Sequence, residues 1–322
     1  TTLGEYESVY GVFVRMQTIR IYNYYTTNWD SVANNQAGGS FKVEYSVNNG
    51  SSSQTITGTS ASIGAAYSST VKVTATAKSG YQFIGYFSSR PTNETENRVS
   101  TDNPYSFTAS SRSTLYVMFA KTYMLTIKYT SSSATHATSI KASCSALGLN
   151  STNIASGSSY NFTTYCRSSS QTITVSSVNG SYTYYMGNGS ATTSSSTNSF
   201  SYSWTTSVNA TINVYVRERY SITYNGNGNT GGTVPGVTYK AHGLNATLAT
   251  NDLTRTGYTA NGWNTNSSGT GTHYNNATSY SGNGNVTLFA QWAINTYTLT
   301  IKYHTFAGVS GNPTNLNVTA TS

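Results

Sequence analysis

The residues able to do chemistry in this chain are few, and their spacing keeps them apart. Only 9 of its 322 residues are Asp or Glu. None lies between Asp102 and Glu218, and the stretch after Glu218 holds only Asp252. General acid–base catalysis needs titratable groups that can meet, and glycoside hydrolysis needs a facing carboxylate pair. Neither stretch supplies one. Calcium loops require several carboxylates close together, and no such run occurs. His136, His242, His273 and His304 stand singly, so they read as strand or loop residues rather than metal ligands. Asn225–Gly232 contains Gly-x-Gly without a following Gly-Lys-Ser/Thr, and reads as a turn rather than a phosphate loop. No catalytic residue, metal site or cofactor is expected, and the chain reads as a non-enzyme.

Two further residue types carry modification chemistry. Cys144 and Cys166 are the only cysteines, and their spacing has no metal-binding C-x-x-C character. A Cys144–Cys166 disulfide is the expectation, which would place the protein outside the cytosol; the alternative is two buried thiols. Asn-x-Ser/Thr triplets begin at Asn93, Asn150, Asn161, Asn188 and Asn209, among others. Ser and Thr make up about a third of the chain, so many such triplets arise by chance. They are glycosylation candidates, with plain solvated loops as the alternative.

The elements that must position these residues are strands. Charged residues make up 8% of the chain and aromatic residues 13%, with 28 Tyr. Helix formers are scarce, while Tyr, Thr, Val and Ile favour strands. The regular aromatic spacing can bury apolar area that a disordered chain lacks. The net charge of +8 comes from scarce acids, and the bases are scattered singly apart from Arg217-Glu218-Arg219. That is no footprint for nucleic acid, and leaves at most a weak attraction to anionic glycans. No apolar run approaches the ~18 residues of a membrane helix, so no membrane insertion is expected in this segment.

Internal repetition organises the chain. Thr122-Tyr123-Met124-Leu125-Thr126-Ile127-Lys128-Tyr129 returns as Thr296-Tyr297-Thr298-Leu299-Thr300-Ile301-Lys302-Tyr303. Looser versions occur at Gln17–Tyr22 and Tyr220–Tyr224. Apolar residues recur at every second position, the period of a half-buried strand. Each version follows a strand-like segment: Val9–Phe13, Thr114–Phe119, Thr211–Val216 and Val286–Trp292. Junctions joined by short linkers are therefore expected near residues 15, 120, 217 and 294. The units would be 15–120, 121–217 with the cysteine pair, and 218–293, each of roughly 75–105 residues and able to hold a small core. Tyr81, Phe83, Phe107 and Phe119 should fill the first core, and Tyr258, Trp263, Phe289 and Trp292 the third.

One series of motifs resembles a known family. It comprises Tyr220–Gly228, Gly232-Thr233-Val234-Pro235, Leu253–Tyr258, Gly262-Trp263-Asn264-Thr265 and Val286–Trp292. Together they are similar to the Listeria–Bacteroides repeat, or internalin B-repeat, of bacterial surface proteins. The first unit resembles a divergent form through Gly80–Tyr86, Ser100–Thr108 and Leu115–Phe119, with Tyr86 where the family usually has Trp. The resemblance implies tandem small β-grasp-like domains in an extended rod and a structural role, with no catalytic residues to transfer.

Residues 1–14 read as the closing strand of an incomplete unit, and 294–322 as the opening of another. A window cut from a longer array would look like this. So would a subunit joined head to tail to copies of itself. In the second case Val9, Tyr10, Val12, Phe13 and Val14 of one copy complete the half-unit carrying Leu299 and Ile301 in the next. The chain begins at Thr1 without a signal segment, so a longer precursor or a removed leader is expected. The function expected is a structural extracellular or cell-surface protein, as a rod or fibre subunit. An adhesin binding surface glycans through exposed Tyr and Trp is the alternative.

Overall fold

The computed structural model describes residues 13–33, 38–47, 50–133, 136–179, 181–190, 196–301 and 316–321. It is nearly all β, as the composition requires. Among the described residues the only helical elements are two 3-10 turns, Ala109–Ser111 and Ser145–Leu147. No helix among them is long and apolar enough to cross a membrane.

One four-strand arrangement occurs three times. In the first copy, β1 (Met16–Asn28) lies between β2 (Ser60–Ala66) and the first half of β4 (Thr114–Ser133), and β3 (Tyr81–Phe87) lies beyond β4. The central pair β1–β4 is parallel, and both outer pairs are antiparallel. The second copy is β5 (Ser159–Tyr165), β4, β7 (Ala210–Asn225) and β6 (Tyr184–Asn188). The third is β8 (Thr238–Ala241), β7, β10 (Val286–Ile294) and β9 (Tyr258–Asn264). The parallel register is the same each time. Ile21 faces Leu115, Ile127 faces Ile212, and Tyr224 faces Leu288.

β4 and β7 therefore each close one unit and open the next. The linkers expected near 120 and 217 do not exist; the chain runs through both places as strand. The cause is local. Leu115–Tyr129 and Ala210–Asn225 contain neither Gly nor Pro, and the two-residue alternation keeps its phase through each junction, with only Lys121 and Glu218 replacing an apolar residue on the core-facing side. In β7 one face is buried, with Ile212, Val214, Val216 and Ile222 inside, while Thr211, Asn213, Arg217 and Arg219 line the other.

A separate apolar cluster forms in each unit. The first gathers Ile19, Ile21, Phe41, Val43, Val73, Tyr86, Leu115, Val117 and Phe119. The second gathers Leu125, Ile127, Tyr129, Ile140, Ile173, Trp204, Ile212 and Val214. The third is smaller, with Ile222, Tyr224, Leu253, Trp263, Leu288 and Ala290. Of the aromatic residues expected inside, Phe107, Phe119 and Trp263 are buried, whereas Tyr81, Phe83, Tyr258, Phe289 and Trp292 are half-buried. In the first two units a second sheet covers the core. It is formed by Gly39–Val47, Gly50–Ile56, Thr70–Ala77 and Tyr105–Thr108 in one, and by Ser139–Cys144, Leu149–Asn150, Gln171–Ser177 and Ser199–Trp204 in the other.

The Gly80–Tyr86 and Gly257–Trp263 motifs do the same work. In both, the pairing to the closing strand shifts register just before the large ring. Gly85 (φ +147°) and Gly262 (φ +64°) sit at those shifts in backbone that side chains rarely adopt. The bulge turns Tyr86 and Trp263 fully inward, both at 0% exposure. Tyr86 thus replaces Trp in kind, and its hydroxyl donates to the Val73 carbonyl over 2.7 Å.

Candidate functional site: the open strand edge and the unit junctions

After β10 the described residues hold the opening pair of a fourth copy of the pattern. β11 (Thr296–Ile301) pairs antiparallel with β12 (Leu316–Thr321), as β4 pairs with β5. Among the described residues β11 has no partner on its other edge, where each earlier opening strand has a parallel one. Its apolar side chains lie open. Leu299 is 61% and Ile301 40% exposed, where Leu125 and Ile127 at the matching positions are at 0%. At the other end of the chain Phe13 is 98% exposed, while Phe119 at the matching position is at 0%. Val14 is half-buried. Val9, Tyr10 and Val12, and also His304, lie outside the described residues.

The expected disulfide is not formed. Both cysteines are free, buried thiols. Cys144 ends a strand in the second unit's core, whereas Cys166 belongs to a distinct cluster with Ile84, Phe87, Met118 and Ala120. The separation follows from position: Cys144 ends a strand of the sheet that covers the second core, whereas Cys166 follows β5 at the junction with the first unit. Burial pushes the Cys166 thiol up to about 11, with a smaller upward contribution from the Glu94 charge.

The Cys166 cluster is the junction between units one and two. Trp29 donates its indole N–H to the Cys166 carbonyl (2.9 Å), and the Tyr123 hydroxyl donates to the Thr27 carbonyl (2.9 Å). The Ser168 backbone N–H donates to the Glu94 carboxylate (3.1 Å). Trp29, Tyr123 and Tyr165 pack against the cluster, so this junction is both apolar and hydrogen-bonded.

The junction between units two and three is polar, and sequence spacing gave no sign of it. Glu218, 8% exposed, sits on β7 where the two units meet. His136 Nδ1 lies 2.9 Å from one carboxylate oxygen, and the Tyr220 hydroxyl donates to the other over 2.6 Å. His242 Nδ1 lies 2.9 Å from the Tyr220 oxygen; since the phenol proton goes to Glu218, His242 is the donor there. His136 also stacks on Tyr182, with ring centres 3.8 Å apart. Burial, the hydrogen bond to Glu218 and its charge push the Tyr220 phenol up to about 12. Burial and the same charge push Tyr184 up to about 12. His136, Tyr182, Glu218 and Tyr220 line a cleft of about 450 Å³ that also touches Asn285. Among the described residues no group of three His, Cys, Asp or Glu side chains is arranged to hold a metal ion.

Asn209 and Asn285 have a structural use that the sequence reading missed. Asn209 Oδ1 accepts the Met124 backbone N–H, and Asn285 Oδ1 accepts that of Ser221, each over 2.9 Å. Both asparagines precede a closing strand and tie it to the opening strand of the same unit. Their shared place before Ala-Thr and Val-Thr, each heading a closing strand, was the available signal. Asn150, Asn161, Asn188 and Asn209 are exposed and Asn93 is half-buried. Asn188 Oδ1 accepts the Asn213 N–H (2.9 Å), and Asn93 closes a turn onto Thr95 and Glu96. The Asn225–Gly232 stretch is a turn, closed by Asn229 N–H to Gly226 carbonyl.

The outer face of β1 and β4 carries a row of half-buried tyrosines. The Tyr22 and Tyr116 rings stack at 5.1 Å, Tyr24 lies 5.5 Å from Tyr116, and the Arg90 guanidinium lies 5.7 Å from the Tyr24 ring centre.

Comparison with known proteins agrees with the motif reading of the third unit. The sequence model of the Listeria-Bacteroides repeat domain matches residues 220–291. No curated protein matches the chain. Among solved structures, the shaft pilin spaA of Lactobacillus rhamnosus GG overlaps 62% of this chain and 98% of its own, at 10% identity and a TM-score of 0.21. The pilus adhesin SpaC of the same organism overlaps 88% of this chain and 44% of its own, at 11% identity and a TM-score of 0.24. The major pilin of Streptococcus pyogenes overlaps 63% and 98%, at 12% identity and a TM-score of 0.18. TM-scores of this size lie far below those of proteins that share a fold.

Proposed function

We propose that this chain is a structural segment of an extracellular or cell-surface protein. In this reading it is a rod of β units whose copies join head to tail as a fibre, and it has no catalytic role. One observation carries the reading: β4 and β7 are each shared by two successive units, so neighbours are fused through a strand rather than tethered. Such a chain transmits tension along continuous hydrogen-bonded backbone. The repeat match over residues 220–291 supports it, because that family occurs in surface proteins. The division at 15–120, 121–217 and 218–293 fits as three cores on a common spine. The open edge of β11 supports self-association, since exposed sheet edges are normally covered or used.

Electron microscopy of the purified chain tests this. Elongated particles that lengthen end to end with rising concentration are expected. Compact particles of constant length would overturn it.

A second reading, adhesion to surface glycans, is favoured by the Tyr22–Tyr24–Tyr116 row with Arg90 beside it. Aromatic faces stack on sugar rings, and a guanidinium binds acidic groups. Glycan-array binding lost in Tyr22→Ala and Tyr116→Ala would support this reading. Unchanged binding in both variants would remove it.

A further inference from the structure

We propose that the Val9–Val14 segment of a second copy lies along the open edge of β11, parallel to it, with Val9 opposite Ile301. This deepens the head-to-tail reading and rests on it, by naming the two strands and their register.

The register comes from the three complete units. The second core residue of each opening strand faces the first core residue of its closing strand: Ile21 with Leu115, Ile127 with Ile212, Tyr224 with Leu288. Ile301 holds the position of Ile127 in the repeated octamer. Its partner must therefore be the first core residue of a closing-type strand.

One more segment of closing-strand type occurs in the sequence. Ser8-Val9-Tyr10-Gly11-Val12-Phe13-Val14-Arg15 runs parallel in character to Thr114-Leu115-Tyr116-Val117-Met118-Phe119-Ala120-Lys121. Val9 matches Leu115, Tyr10 matches Tyr116, Phe13 matches Phe119 and Arg15 matches Lys121. The step from Phe13 to the next core residue, Ile19, equals that from Phe119 to Leu125. The alignment is thus fixed at both ends, with no gap to adjust.

Backbone chemistry agrees with the side chains. The Arg20 N–H donates to the Ser113 carbonyl over 2.9 Å, the parallel bond that opens the first unit. Thr300 holds the position of Arg20, and Glu7 that of Ser113. A row of main-chain bonds beginning at Thr300 N–H and Glu7 carbonyl would give affinity. Alternate apolar side chains entering beside Leu299 and Ile301 would fix the register, because a one-residue slip turns every side chain to the wrong face. Both partners are presented open: Leu299 at 61%, Ile301 at 40% and Phe13 at 98% exposure. The two surfaces differ, so the contact does not close on itself and propagates.

Disulfide trapping tests this. Val9→Cys and Ile301→Cys copies are mixed under mild oxidation, and cross-linked peptides are mapped by mass. Directly opposed positions on neighbouring strands lie within disulfide reach. Linked dimers are expected from this mixture, several-fold above those from Val9→Cys with Thr300→Cys, whose side chains point to opposite faces. A Thr300→Pro chain, which loses the donor N–H, should remain monomeric in light scattering with its melting profile unchanged. Copies that associate without the Val9–Ile301 link overturn this register and leave head-to-tail association standing. A link formed within single chains, persisting at high dilution, overturns the second-copy occupant. Failure of the unmodified chain to associate at any concentration overturns the head-to-tail reading as well.

Discussion

The indole of Trp29 in the first unit donates to the carbonyl of Cys166 in the second over 2.9 Å, across a junction with no linker. The Cys166 side chain beside it is at 0% exposure. The first two units are therefore locked side by side as well as fused end to end.

Thiol labelling reads that lock. Neither Cys144 nor Cys166 should react with iodoacetamide in the native protein near neutral pH, and both should react in denaturant without a reductant. The physical reason is burial of both thiols, with Cys166 pushed up to about 11. Trp29→Ala should expose Cys166 first, so its labelling rate rises while that of Cys144 does not. Absence of labelling in unreduced denaturant would show a disulfide instead.

The inward aromatic rings set the stability of the outer units. Trp263 is at 0% exposure and donates to the Ala249 carbonyl over 2.7 Å. Trp263→Ala should cost about 3–5 kcal/mol, and chemical denaturation should show the third unit melting early. Tyr86→Phe removes the hydroxyl that faces the Val73 carbonyl and Asn103 Oδ1, leaving a buried acceptor, and should cost about 1–3 kcal/mol.

The bulge glycine of the third unit should not accept a side chain. At Gly262 an added Cβ meets the Tyr274 carbonyl oxygen, and φ is +64°. Gly262→Ala should cost at least about 1–3 kcal/mol of strain, whereas Gly284→Ala, with open space around it, should be nearly neutral. Thermal melts of the two variants make the comparison.

Stability should fall at alkaline pH. Tyr184 and Tyr220 are pushed up to about 12 from 10.0, and Cys166 up to about 11 from 9.0. A group whose folded value is raised keeps its proton in the folded state longer than in the unfolded one. Its contribution is complete below the unfolded value and is lost as pH rises through the folded one. Denaturation midpoints should be unaffected by these groups below about pH 9 and decline between about 9 and 12. Glu218→Gln removes the charge that helps raise Tyr220 and Tyr184. The late phase of the phenol absorbance titration should then move to lower pH.

Much of the architecture could be read from local pattern. The two-residue alternation marked Ile19–Ile21, Leu125–Ile127 and Leu299–Ile301 as strands, and the Gly80–Tyr86 and Gly257–Trp263 motifs marked aromatic strands whose bulges at Gly85 and Gly262 only the structure shows. The strand signal is legible because strand face is imposed by residues within a few positions of each other. The tertiary structure alone decided the rest. That Ile21 faces Leu115, and that β4 then serves two units, is a pairing between distant segments that no local period encodes. The same holds for the cysteines: spacing made Cys144 and Cys166 a pair, but the packing of the covering sheet and of the unit junction sent them to different cores. His136, Glu218, Tyr220 and His242 look isolated along the chain and meet only because β7 crosses from one unit into the next. A side chain's rotation on its strand is set by its neighbours in sequence, whereas its partners are set by which strands pack together.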